Sequence, residues 1–88
     1  MSNEIREVIK KEVERVGFTL IDVRPTMFKN IKSVIAFSDV KKEYVVWTYN
    51  VVYNGLFHGR YFTYRMNDTE EYKEHKRKLA YEEWELRS

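Results

Sequence analysis

Eighty-eight residues suffice for one domain with one modest core, and the absence of cysteine excludes disulfide staples and thiolate metal sites, so the fold must stand on packing. Sixteen basic against fourteen acidic residues leave a net charge of +2, which excludes a strong long-range field and leaves only local patches to attract nucleic acid or anionic lipid. No unbroken apolar run exceeds that from Tyr44 to Trp47, far short of a bilayer span, so a cytoplasmic protein that does not enter membranes is expected.

Ser2 or Asn3 caps a predicted first helix in which Ile5, Val8, Ile9, Val13 and Val16 recur at spacings of three and four, with Gly17 as a left-handed terminator. Glu12 falls inside that apolar stripe. Lys76 holds the matching place in a later helix, which predicts an ion pair between the two. Phe18 to Arg24 alternates β-branched and aromatic residues until Pro25 ends the ladder, Thr26 to Asn30 reads as a loop, and Ile31 to Ser38 as a second strand.

After a polar turn at Asp39 to Lys42, the stretch to Met66 reads as a long aromatic hairpin about Asn54-Gly55, a pair that tolerates the positive φ of a type I′ turn. That register sets Tyr53 against Leu56, Tyr49 against Arg60 and Trp47 against Phe62. Parity then sends Val45, Trp47, Tyr49, Val51, Tyr53, Phe62 and Tyr64 to the core, and Tyr44, Val46, Thr48, Asn50, Tyr61, Thr63 and Arg65 to the other side. A capping box of Asp68 and Glu71 opens a second helix from about Thr69 towards Arg87, with Tyr72, Leu79 and Leu86 as its inner stripe, His75 beside them, and Tyr81 and Trp84 pointing away. The expected fold is one α+β domain over residues 1–88, α-β-β-β-β-α, a four-stranded antiparallel sheet with both helices packed on one face and the other face open.

No phosphate-cradling glycine loop, HExxH pair or serine elbow is present, and His58 and His75 stand outside any cluster, so neither catalysis nor a metal or cofactor is expected. Gly59 is a candidate β-bulge beside His58. The basic run Lys73, Lys76, Arg77 and Lys78 is interleaved with Glu70, Glu71 and Glu74 and reads as a solvated helix face. The aromatic surplus points to a protein-binding domain whose contact residues are Trp84, Tyr81, Tyr44, Tyr61 and Arg65. Its partner is another protein or a second copy of the chain. Small size and a composition heavy in Tyr, Lys, Glu and Asn suit a bacteriophage-type accessory or inhibitor of a larger bacterial protein. The first alternative is a nucleic-acid-binding domain whose open sheet face sets Tyr44 and Tyr61 beside Lys32 and Arg65; the second, a small enzyme, requires a deep pocket gathering His58, Glu12 or Asp22 with Arg24 or Arg60.

Overall fold

The computed structural model describes residues 3–88. Its elements are α1 (Asn3–Arg15), β1 (Thr19–Pro25), β2 (Ile31–Ser38), β3 (Glu43–Asn50), β4 (Gly55–Thr63) and α2 (Glu70–Arg87). The Ser2 cap lies outside the described residues, and Asn3 is already helical. Gly17 ends α1 at a φ of 91°, its N–H bonded to the Glu14 carbonyl at 3.0 Å, as a left-handed terminator requires. The strands form one antiparallel meander in the order β1-β2-β3-β4, so the α+β class and the element order are those expected from the sequence.

The helices do not share a face; they straddle the sheet. On one side Ile9 and Val13 of α1 pack against Phe18, Val23, Val34, Ala36, Val45, Trp47 and Tyr49. On the other, Ala80 and Trp84 of α2 pack against Ile35, Val46 and Phe62. Neighbours in a strand point to opposite faces, so Val34 and Ile35 cannot serve the same helix. The central strands are buried on both sides, as a strand covered twice demands: the unbroken runs Val34 to Phe37 and Tyr44 to Trp47 replace the polar alternation of a half-wet sheet. Among the described residues there is consequently no open face, and the Glu12–Lys76 pair does not form. Glu12 binds Arg15 one turn along at 2.9 Å, and the Lys76 ammonium sits 5.2 Å above the Tyr72 ring.

The hairpin register also differs from the Asn-Gly expectation. β3 stops at Asn50, whose partner is Gly55, leaving a four-residue turn from Val51 to Asn54. Asn50 Oδ1 accepts from the N–H groups of Val52 (2.9 Å) and Tyr53 (3.2 Å), an Asx turn that outcompetes the two-residue alternative, while Asn54 takes the left-handed conformation (φ 49°). Further along, His58 (φ 54°) and Gly59 together oppose Trp47, a bulge that shifts the pairing from Thr48↔Phe57 to Val46↔Arg60. The odd residue reverses the parity of the rest of β4: Phe62 faces α2, and Tyr61 joins Trp47 and Phe18 on the α1 side.

Helix α2 is capped one residue later than the Asp68 box predicts. Thr69 accepts from the Tyr72 N–H at 3.2 Å, and Asp68 instead accepts from the Arg65 N–H at 2.6 Å. Its inner line is Ala80 and Trp84, not Tyr72 and Leu86, which lie exposed. The small Ala80 lets the helix approach the sheet, and Trp84 fills the gap this leaves.

Candidate functional site

Two connections meet at one end of the sheet: the β1–β2 loop (26–30) and the β3–β4 turn (51–54). The Val51 N–H donates to the Asn30 carbonyl at 2.9 Å and ties them together. Each is braced internally. Thr26 Oγ1 accepts from the Phe28 N–H at 3.1 Å and donates to the Ile31 carbonyl at 2.9 Å, while Asn50 Oδ1 holds the other turn. Against this rigid backing the loops hold large apolar side chains in water: Met27 is 88% exposed, Phe28 63%, Val52 66% and Tyr53 76%. Beside them Tyr53 and Phe57 overhang a concavity of about 250 Å³, also lined by Ile31, Thr48, Asn50 and His58, where α2 stops short of the sheet's end. Such a hollow holds a side chain rather than a whole cofactor or substrate.

The rim is basic. From Val23 to Asn67 seven lysines and arginines stand against two acids; Asp39 and Glu43 lie at the opposite end of the sheet together with Lys41, Lys42 and Arg65, so the loop end holds Lys29 and Lys32 and neither of those acids. Lys29 and Lys32 flank the β1–β2 loop, with Lys32 Nζ donating to the Lys29 carbonyl at 3.3 Å. Chemically this end offers exposed apolar and aromatic anchors within a positive surround, and no arrangement of nucleophile and base. Among the described residues no group of three or more His, Cys, Asp or Glu is placed to hold a metal. No helix of the described chain is long and apolar enough to cross a membrane.

The five residues singled out as contacts do not assemble. Trp84 is interior at 4% exposure: its indole N–H donates to the Ser33 carbonyl at 2.9 Å, the Ser33 hydroxyl donates to the Trp84 carbonyl at 2.8 Å, and Arg24 stacks on the ring at 4.8 Å. It anchors α2 and is not a surface residue. Tyr81 packs edge-on against it at 5.7 Å under the Arg77 guanidinium. Tyr44 lies half-buried on the same face, 4.7 Å from the Phe37 ring, and burial raises its phenol above the ordinary value against the opposing pull of Arg77. Tyr61 is half-exposed on the α1 side, separated from Tyr44 by the sheet, so no stacking platform of the two rings exists. Arg65 is exposed beyond β4, at the end of the sheet away from Lys32.

Met27, Phe28, Val52 and Tyr53 are not marked by spacing or periodicity, and the longer register assigns Tyr53 to the core. The signal that does mark them is position: bulky apolar residues inside a segment bounded by Pro25 and Asn30, and immediately before Asn54-Gly55, where turn residues are expected. In comparisons with protein-family models, curated proteins and solved structures, nothing matches the chain.

Proposed function

We propose that the chain is a non-enzymatic binding module that docks on another protein through the loop end of its sheet, with Met27, Phe28, Val52 and Tyr53 as anchors and Lys29 and Lys32 as the rim that orients them. The observation carrying this is the pairing of rigid backbone with solvated apolar side chains. Ordering costs at the tips are met within the free protein, so more of each buried side chain remains as affinity. The positive surround favours a partner whose apolar pocket is edged by carboxylates. A cytoplasmic accessory or inhibitor of a larger protein, of the kind bacteriophages encode, is the setting that suits a domain of this size.

A photoreactive benzoylphenylalanine in place of Phe28 or Val52, expressed in the cells that encode the protein, tests the proposal. A defined protease-sensitive adduct from these positions, absent when the same group replaces the exposed Lys10, is the expected result. Adducts that form equally from all three sites, or none from the tips, defeat it. The basic segment favours nucleic acid as the second reading. Adducts sensitive to nuclease, together with binding that falls steeply with salt, would establish that reading instead.

A further inference from the structure

We infer that the free edge of β4 at Gly59 is a second docking position, independent of the loop tips, which takes an acidic extended peptide segment as a fifth strand with a carboxylate on the Trp47 indole N–H. The two edges of the sheet are not equivalent. β1 is guarded: α1 packs beside it, Pro25 removes a donor, and Arg6 ties down the bulge, donating to Asp22 at 3.0 Å and reaching the Ile21 carbonyl at 3.5 Å. β4 meets α2 on one face only, through the Arg60–Glu83 pair at 2.8 Å, and Phe57 to Tyr61 are exposed without interruption. An uncovered edge of this kind is where an extended segment adds by main-chain pairing.

The bulge gives that edge a specific feature. Trp47 is only 5% exposed, yet its Nε1–H has no hydrogen-bond partner among the described residues. No buried side-chain nitrogen or oxygen of the described chain lacks a partner, so this one must meet solvent. It does so over Gly59: a Cβ there would stand 2.8 Å from Trp47 Nε1 and 3.0 Å from Tyr61 Cε1, and glycine alone leaves the notch clear. Tyr61 walls one side, with Phe18 beyond at 5.2 Å from the Trp47 ring. A solitary N–H donor in an aromatic notch calls for an acceptor.

Charge selects which acceptor. Tyr44 to Asn67 contains no aspartate or glutamate. Lys41 places its ammonium 4.8 Å from the Phe18 ring on this same face. The carboxylate that partly neutralises Arg60, Glu83, lies across the sheet on the α2 side. The bulge also breaks the outward ladder at His58 and Gly59, so a side-chain carboxylate meets the strand where regular main-chain pairing is interrupted.

The test monitors the two indole N–H signals of the ¹⁵N-labelled protein by NMR during titration with acetyl-Thr-Val-Glu-Val-Glu-Val-Thr-amide. The Trp47 signal is expected to move saturably while that of Trp84 stays still, with about tenfold or greater weakening when the peptide's glutamates are replaced by glutamine. Gly59→Ala fills the notch and should abolish the shift; because the wild-type titration stands alone, a poorly folded variant does not blunt the test. Phe28→Ser should leave the titration intact, which separates this position from the loop tips. A static Trp47 signal, an equal response to the glutamine peptide, or the same shift from acetate or oligothymidylate overturns the proposal.

Discussion

Ser33 and Trp84 illustrate how a single polar residue decides the attachment of a helix. The Trp84 carbonyl lies in the last turn of α2, where the Ser88 N–H that could meet it bonds to the Glu85 carbonyl at 3.2 Å instead, and its burial forbids water as a substitute. Ser33, fully buried in the central strand β2, supplies the donor, and its own carbonyl receives the indole N–H in return. A serine inside an apolar strand, an oddity by composition, is thereby explained as the socket for this exchange. Ser33→Ala leaves one buried acceptor unmet and should cost about 1–3 kcal/mol. In a domain of this size that lowers Tm by roughly 5 to 20 °C, as differential scanning calorimetry would read. A change under one degree would mean that the carbonyl finds another donor.

The elements are joined by a second device, the bridge from α2 to β4. Glu83 accepts from Arg87 within the helix and from Arg60 across to the sheet, each at 2.8 Å, and Arg87 also reaches the Val46 carbonyl at 3.3 Å. The hydrogen bond from Arg87, helped by that from Arg60, holds the Glu83 carboxyl below its ordinary 4.5 against the opposing effect of burial. A depressed folded-state value contributes stability that is complete above 4.5 and is lost as the pH falls through the folded value. Denaturant midpoints at pH 7 and pH 3 should therefore differ less for Glu83→Gln than for the unmodified protein, and an equal difference would refute the clamp. These cross-element links were not legible in the sequence, whereas the elements themselves were. The end of β3 at Asn50 was hidden by the stronger Asn54-Gly55 signal, but the α1 stripe, the strand end at Pro25 and the turn at Asp39 to Lys42 all arise from local spacing and turn chemistry. The face of α2 did not, because Ala80, a small residue with little hydrophobic weight, marks the closest approach, while the bulkier Leu86 points to solvent. The face of Phe62 did not either: one left-handed residue, His58, reverses parity, and histidine carries no signal for that conformation comparable to glycine's. The loop tips were illegible for a related reason, since apolar residues are read as core unless something fixes the turn that expels them.

Across the whole molecule, a single sheet serves two cores, one beneath each helix, and β2 and β3 supply walls to both. Neither core can lose its wall without exposing the other, so the arrangement predicts one cooperative transition even though the helices pack against different clusters. The sequence provides a reporter for each side: Trp47 lies in the α1 core and Trp84 in the α2 core. In Trp84→Phe the fluorescence reports only the α1 side, and in Trp47→Phe only the α2 side. Each variant is less stable than the parent, since an indole is lost from a packed site, but the comparison is internal: within each, the urea transition seen by fluorescence should coincide with that seen by far-ultraviolet circular dichroism. Coincidence in both variants means the shared strands couple the two cores. Should the remaining Trp84 signal change at lower urea than the dichroism, α2 would detach as a separate unit while the sheet and α1 persist. The Ser33 exchange and the Glu83 bridge would then be a latch on a dispensable helix rather than part of one fold.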